Sequence, residues 1–213
     1  MYKNIEEMYK ILKKELSKKE IPLAEQINIK TKKPFFILIG TILSARTKDT
    51  TTKKICDKLF KKIKSFKDLE KIPLRDLEKI IYGTGFYKTK AKHLKQLPKI
   101  IHEKYSGKIP ETLEELTTLP GVGRKTANLV LAVAFNKPAI CVDIHVFRIT
   151  NRIGLVSEKN VLSTEKSLRK VIPKKLWIET NKWFVILGQN ICFARNPKCN
   201  ICPIEKHCEK NNI

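Results

Sequence analysis

The sequence predicts an all-α protein, and three observations support that fold class. Apolar residues recur three and four positions apart through most of the chain, which is the spacing of a buried helical stripe. No segment alternates apolar and polar residues between hairpin turns, so strands are not expected. Prolines separate the helical segments, at Pro73, Pro98, Pro110, Pro120, Pro138 and Pro173. We therefore expect many short helices joined by tight loops.

Four segments show the helical pattern most clearly. An amphipathic first helix is predicted by the spacing of Ile5, Met8, Tyr9, Leu12 and Leu16. The run 35–43 is apolar on all sides, which is typical of a central helix surrounded by others. Asp49 is expected to cap the next helix, whose stripe comprises Ile55, Leu59, Phe60 and Ile63. A long late helix is indicated by Leu176, Thr180, Trp183, Phe184, Leu187 and Ile191.

Two stretches of the chain resemble each other. Residues 77–91 and 113–127 share Leu-Glu, an aliphatic residue, a glycine and an alanine in the same order. The similarity predicts two helix–tight loop–helix units, one of them degenerate. The alternative is chance agreement between two ordinary helix pairs, since two copies are too few to establish a repeat.

The charge balance points to a polyanionic partner. Lys and Arg number 44 against 21 Asp and Glu, which gives a net charge of +23. Such an excess destabilises a folded chain through self-repulsion unless a polyanion neutralises it, and nucleic acid is the first candidate. The most apolar run, residues 34–45, is too short to span a bilayer, and the N-terminus lacks an apolar signal core. We therefore expect a cytoplasmic protein whose six cysteines do not pair as disulfides.

A glycine-containing turn lies between two predicted helices. Residues 119–123, Leu-Pro-Gly-Val-Gly, separate a helix over 112–117 from a helix that begins near residue 124. Glycine lets the backbone turn sharply and approach a ligand closely, and the amides at the start of a helix attract anions. Through Gly121, Val122 and Gly123, this turn is expected to bind backbone phosphate without reading base sequence.

The segment 119–148 carries a specific resemblance. The motif Leu-Pro-Gly-Val-Gly-Arg-Lys-Thr-Ala, followed later by Val-Asp-Ile-His-Val-Phe-Arg, resembles the endonuclease III family of helix–hairpin–helix base-excision DNA glycosylases. The likeness extends from residue 43 to Cys208.

This resemblance implies a two-domain helix–hairpin–helix DNA glycosylase fold. A six-helix barrel domain is expected over residues 25–137, with the helix–hairpin–helix at about 112–135. A four-helix iron–sulfur cluster domain is expected from residues 1–24 and 138–213. Double-stranded DNA is expected to bind in the cleft between the two domains.

Lys125 and Asp143 are the candidate catalytic pair. Lys125 lies in the first turn of a predicted helix, where the positive end of the helix dipole favours the uncharged amine. The ordinary alternative is a solvated surface charge. By resemblance, the amine attacks the sugar C1′ and forms a Schiff base, after which the 3′ phosphate leaves by β-elimination. Asp143 is expected to cap the following helix, and the resemblance implies that it also activates the nucleophile. His145 is at least as well explained as a structural histidine and is left out of the pair.

The resemblance also implies two loops that fill the gap left by a base taken out of the stack. Arg46 lies in the first loop, where the family commonly has glutamine, so the opposite-base preference does not carry over. Phe86 lies in the degenerate hairpin and is suited to wedging between base steps. Burial in the core is the alternative for Phe86.

Four of the six cysteines lie close together near the C-terminus: Cys192, Cys199, Cys202 and Cys208. Their spacing of six, two and five intervening residues suits either a zinc ion or a [4Fe-4S] cluster. The family resemblance favours the [4Fe-4S] cluster. Arg195 and Lys198, in the loop between the first two cysteines, are then expected to face DNA phosphate.

The combined expectation is a bifunctional DNA glycosylase and apurinic/apyrimidinic (AP) lyase of base excision repair. It is expected to act as a nucleoid-associated monomer on oxidised or damaged pyrimidines in double-stranded DNA. One alternative is a monofunctional glycosylase of the same fold, acting on thymine or uracil opposite guanine, or on adenine. Such relatives usually lack lysine at the position of Lys125. The other alternative is a non-catalytic DNA-binding or redox-sensing protein, against which the joint presence of Lys125 and Asp143 argues.

Overall fold

The computed structural model describes residues 4–211, which form α-helices and short 3-10 turns with no strand among them. The α-helices are α1 (Ile5–Leu16), α2 (Leu23–Thr31), α3 (Pro34–Ser44), α4 (Asp49–Lys62), α5 (Phe66–Lys71), α6 (Leu74–Ile81), α7 (Tyr87–Tyr105), α8 (Leu113–Thr117), α9 (Arg124–Phe135), α10 (Ile144–Arg152), α11 (Val161–Val171) and α12 (Trp177–Asn190). The all-α prediction is confirmed. No helix in the described range is long and apolar enough to cross a membrane.

The chain divides into two compact units. The first, Leu23–Lys137, is called the hairpin unit below because it contains the glycine turn. The second combines Met1–Pro22 with Pro138–Ile213 and is called the cysteine unit. Each unit is described by itself.

The hairpin unit is organised around α3. Every residue of α3 from Phe35 to Leu43 is buried, and the helix packs against α2, α4, α7 and α9. An all-apolar helix can bury its whole surface only when other helices surround it, so the predicted central helix is confirmed. Six helices of this unit have eight residues or more, while α5 and α8 are shorter. The two similar sequence stretches form the helix–loop–helix pairs α6–α7 and α8–α9.

The cysteine unit contains α1, α10, α11 and α12. Helix α12 lies between α1 and α10 in the packing, and its Phe184 is fully buried. The ring of Tyr9 on α1 meets Phe184 edge to face, with centroids 5.8 Å apart. Tyr9 Oη also shares a hydrogen bond of 2.7 Å with Thr180 Oγ1, which satisfies the buried hydroxyl.

Two sequence-based expectations are wrong in detail. Pro98 does not separate helices, because α7 continues through it. The missing amide costs on the order of 3 kcal/mol, but Pro98 lies on the stripe that α7 buries with Leu94 and Leu97, and that packing holds the helix. Asp49 is the first residue of α4 and not its cap; the N-cap is Lys48, which makes no side-chain capping bond. The Asp49 carboxylate therefore interacts favourably with the positive end of the helix dipole from within the first turn.

Candidate active site and cysteine cluster

The turn between α8 and α9 places Gly121 against α7. Gly121 has a φ of +78°, in the left-handed region that favours glycine. A Cβ added there would lie 2.9 Å from Nδ1 of His93, so both the backbone and the neighbouring helix require glycine. Leu119 and Val122 are buried, and Val122 N donates to Leu119 O at 3.1 Å. Hence the side chain of Val122, which is predicted to bind DNA, is not available to a ligand, and its amide already donates to Leu119 O.

Gly123 has a different role from Gly121. It is the N-cap of α9 in a β-region conformation that other residues also adopt, with a φ of −90°. The backbone conformation of Gly123 therefore does not itself require glycine. Among the described residues, nothing lies within 4 Å of a Cβ added to Gly123, and no side chain caps α9. The start of α9 is thus left open, as an anion-binding helix terminus requires.

Lys125 lies in the first turn of α9, and its side chain is exposed. Within residues 4–211 its amine has no hydrogen-bond or ion-pair partner. Helix α9 is held in place by packing against α3 through buried residues that include Ala127 and Val130. Lys125 therefore presents an uncommitted amine on a well-anchored helix, directly after the glycine turn.

Asp143 belongs to the cysteine unit and is the N-cap of α10, as predicted. Its Oδ1 accepts hydrogen bonds from the amides of His145 and Val146, both at 2.9 Å. Oδ2 takes part in neither bond, so the half-buried carboxylate keeps one oxygen for another partner. The cap fixes the orientation of the carboxylate at the positive end of α10.

His145 is held by neighbours within its own unit. Its Nδ1 lies 3.1 Å from Nη2 of Arg148, and the guanidinium can donate to it. Gly188 of α12 leaves the space that the His145 ring fills, since a Cβ there would overlap the ring. This packing fits the structural reading of His145.

Arg46 and Phe86 lie side by side at the surface of the hairpin unit. The Arg46 guanidinium carbon is 5.3 Å from the centroid of the Phe86 ring. Phe86 is 63% exposed, so the alternative of core burial is wrong. Both residues have positive φ, +52° for Arg46 and +57° for Phe86. Non-glycine residues rarely adopt this conformation, and it often marks a functional loop.

The sequence analysis missed Lys90, a residue of α7 that is only 6% exposed. Its Nζ donates to Leu43 O and Ala45 O at 2.7 Å each, and to Thr47 Oγ1 at 3.1 Å. A signal was present, because Lys90 shares the helical spacing of the apolar residues that α7 buries.

The four C-terminal cysteines surround one apolar cavity in the cysteine unit. Cys192, Cys199, Cys202 and Cys208 line it together with Ile149, Ile153, Leu187 and Ile204. Two donors point at sulfur: Nη1 of Arg152 lies 3.5 Å from Cys192 Sγ, and the amide of Lys210 lies 3.3 Å from Cys208 Sγ. Four sulfur ligands, N–H donors to sulfur and an apolar wall fit an iron–sulfur cluster.

Arg152 is a second residue that the sequence analysis missed. It is buried on α10, and besides Cys192 Sγ its guanidinium donates to Phe193 O and Ala194 O. The loop between Cys192 and Cys199 carries Arg195 and Lys198, which are both exposed. Lys198 Nζ lies 5.7 Å from the ring centroid of Phe193.

Comparison with known proteins gives two family matches. Residues 39–174 match the HhH-GPD superfamily of base excision DNA repair proteins, and residues 192–208 match the iron–sulfur binding domain of endonuclease III. Endonuclease III of Thermotoga maritima is 45% identical over 182 residues, which cover 85% of each chain.

Two solved structures resemble the whole chain. A non-covalent endonuclease III–DNA complex aligns with a TM-score of 0.85 at 35% identity, covering 99% of this chain and 97% of that one. A trapped endonuclease III–DNA covalent intermediate aligns with a TM-score of 0.80 at 34% identity, covering 96% and 95%. The chain therefore belongs to the endonuclease III family of the HhH-GPD superfamily, and it is a DNA glycosylase and AP lyase with a [4Fe-4S] cluster.

Proposed function

We propose that Lys125 is the nucleophile of this glycosylase and lyase, and that Asp143 is its carboxylate partner. The observation that carries the proposal is the exposed amine of Lys125, uncommitted within residues 4–211, in the first turn of a helix that follows a phosphate-binding type of turn. An exposed amine at that position can act as a nucleophile toward a sugar whose phosphate is held by the turn.

The proposed reaction begins at the sugar C1′. The Lys125 amine bonds to C1′ while the glycosidic bond breaks, and the base leaves with a proton. The amine passes one of its two protons to Asp143, and the ring oxygen O4′ takes up a proton from solvent as the C1′–O4′ bond breaks. The product is an iminium ion that keeps one N–H. Loss of the C2′ proton then expels the 3′ phosphate, and water hydrolyses the iminium to free the lysine. The Asp143 carboxylate stabilises the cationic sugar electrostatically and accepts a proton from the amine.

The glycine turn is proposed to hold the DNA backbone. Gly121 keeps the turn closed, and Gly123 leaves the start of α9 open to a phosphate. Backbone contacts of this kind position the duplex without selecting its sequence. Arg195 and Lys198 of the cysteine unit are proposed to contact phosphate as well, since both are exposed cations.

Arg46 and Phe86 are proposed to fill the gap that a flipped base leaves. The exposed ring of Phe86 can enter the base stack, and Arg46 beside it can donate hydrogen bonds to the unpaired opposite base. The proposed substrates are oxidised or damaged pyrimidines in double-stranded DNA. We further propose that the protein acts as a monomer in the cytoplasm, associated with the nucleoid.

Borohydride trapping tests the nucleophile. The reagent reduces a Schiff base to a stable amine, so wild-type protein should become covalently linked to DNA that contains an abasic site. Lys125→Ala should lose both trapping and strand cleavage but still bind DNA, because the backbone amides of the turn remain. Lys108→Ala removes another exposed lysine and should trap normally. Trapping by Lys125→Ala would show that another amine is the nucleophile.

A panel of single-lesion duplexes, in which base release and strand cleavage are measured separately, tests the substrate class.

A further inference from the structure

The side chain of Lys90 connects helix α7 to the end of α3 and the loop that follows it. It enters from α7 and donates to three acceptors at the end of α3: Leu43 O, Ala45 O and Thr47 Oγ1, at 2.7, 2.7 and 3.1 Å. None of these acceptors is a carboxylate. The ammonium is instead stabilised by two carbonyls and a hydroxyl at the negative end of the α3 dipole, where α3 has no basic residue of its own.

The loop held in this way also contacts the loop before α7. Thr47 Oγ1 accepts a hydrogen bond of 3.0 Å from the Gly85 amide. A Cβ on Gly85 would lie 2.5 Å from Arg46 O, so the two backbones touch at this point. Lys90 N also donates to Phe86 O at 3.0 Å, which ties the first turn of α7 to the left-handed Phe86.

Burying a lysine is costly, and the cost needs a reason. Three well-placed acceptors offset part of it, yet an apolar side chain at this position would avoid it altogether. What an apolar residue could not do is hold both neighbours of Arg46, the backbone carbonyl of Ala45 and the side-chain hydroxyl of Thr47. Arg46 itself has a positive φ, which the surrounding bonds must maintain.

We propose that Lys90 is a positioning residue for base excision: its buried ammonium holds the Arg46 loop against the Phe86 loop, so that both side chains are preorganised to replace a flipped base. The proposal rests on the gap-filling function proposed above for Arg46 and Phe86. It adds a residue that touches neither the lesion nor the reacting atoms.

The first measurement needs no DNA, and so separates this proposal from the gap-filling function. Amide hydrogen exchange of the free protein is compared for wild type and Lys90→Met. We expect at least about tenfold faster exchange at residues 44–47 and 85–86, with the rest of the hairpin unit unchanged, because only local bonds are lost. Unchanged exchange in these loops, or faster exchange throughout the unit, would overturn the positioning role.

The second measurement compares two substrates. Lys90→Met should slow excision of an intact damaged base by about tenfold or more, because misplaced groups weaken flipping, while lyase action at a preformed abasic site stays within about threefold. Equal losses on the two substrates would overturn the proposal. If Lys90→Met excises the damaged base at the wild-type rate, the double variant Arg46→Ala/Phe86→Ala shows which proposal is wrong. Normal excision by the double variant would contradict the gap-filling function. Slow excision by the double variant would mean that gap filling does not depend on Lys90.

Three further variants keep the test decisive. Lys92→Met removes an exposed lysine from the same helix and should behave as wild type in both measurements. Lys90→Arg keeps a charged donor and should stay closer to wild type than Lys90→Met; equal defects would overturn the claim that charged donors do the positioning. Should Lys90→Met fail to fold, Thr47→Val decides by the same two measurements, since it removes the hydroxyl that joins Lys90 to the Gly85 amide.

Discussion

The guanidinium of Arg46 lies over the ring of Phe86, 5.3 Å from its centroid, on the surface of the hairpin unit. If the pair fills the gap left by a flipped base, truncating either residue to alanine should slow excision by about tenfold, and lyase action at a preformed abasic site much less. The double variant should lose less than the product of the two single effects, because contacting residues are coupled. Single-turnover rates on the two substrates check this.

Changing the base opposite the lesion tests whether Arg46 contacts that base. If its guanidinium donates to the unpaired base, the penalty of Arg46→Ala should change when that base is changed. A constant penalty would mean that Arg46 makes no such contact. Lys48→Ala, an exposed cation in the same loop, should show no such dependence on the base.

Gly121 and Gly123 should respond differently to the same substitution. Gly121→Ser places a side chain at a φ of +78° and against His93, so it should lower the free energy of unfolding by at least about 1 kcal/mol. Gly123→Ser should fold as well as wild type, since serine is a favourable N-cap. Its hydroxyl would occupy the helix amides, and DNA affinity should fall about tenfold, the value of one hydrogen bond to a charged group.

Urea denaturation and fluorescence anisotropy with several duplex sequences separate these effects. The loss for Gly123→Ser should be the same for every sequence and smaller at high salt, because a phosphate contact is lost. A loss confined to one sequence would contradict the proposed backbone contact.

The helices and the cluster of four cysteines could be predicted because each depends on local pattern. The all-apolar run that became α3, the N-cap at Asp143 and the four cysteines are each visible within a few residues of sequence. Lys90 was harder, since its three acceptors lie at the end of α3 and in the loop after it, more than forty residues earlier in the chain. Phe86 could not be placed from sequence either, because a left-handed backbone turns it outward and nothing local predicts that conformation.

The cofactor gives a prediction about composition and stability. The purified protein should be brown and hold four irons per chain, the number of metal ions in a [4Fe-4S] cluster. Cys202→Ser should lower the iron content and the melting temperature and weaken DNA binding, because the C-terminal segment loses its cross-link. Cleavage at an abasic site under saturating protein should persist. As a control, Cys56→Ala removes a buried cysteine of the hairpin unit, and this variant should keep the wild-type iron content. A colourless, folded preparation with one zinc would contradict the assignment.

Lys90 predicts a pH dependence of stability. Burial lowers the pKa of Lys90 to about 8, whereas a lysine in the unfolded chain has a pKa of about 10.4. Between these values the unfolded state binds more protons, so the stability of wild type relative to Lys90→Met should rise with pH. Below about pH 8 the lysine is charged in both states, and the difference should be flat. Urea midpoints from pH 6 to 10 test this; a difference that stays constant throughout would show that Lys90 does not titrate there.

Two substitutions of Asp143 should separate its effect on stability from its effect on catalysis. In Asp143→Asn the amide oxygen can still accept from the His145 and Val146 amides, so the cap of α10 and the melting temperature should be nearly unchanged. The negative charge is lost, and excision should fall by about a hundredfold or more, as when an electrostatic stabiliser is removed. Asp143→Ala should lose the same activity and in addition about 1 kcal/mol of stability, because it also loses the cap.

The double variant Lys125→Ala/Asp143→Asn then tests whether the two residues act as one unit. If Asp143 works through the Lys125 amine, the double variant should be little slower than Lys125→Ala, because groups that serve a single step are not additive. Residual base release, measured in single turnovers at saturating protein, is the quantity to compare. Independent, multiplicative losses would mean that Asp143 acts on the sugar alone, and its proposed role as proton acceptor for the Lys125 amine would have to be given up.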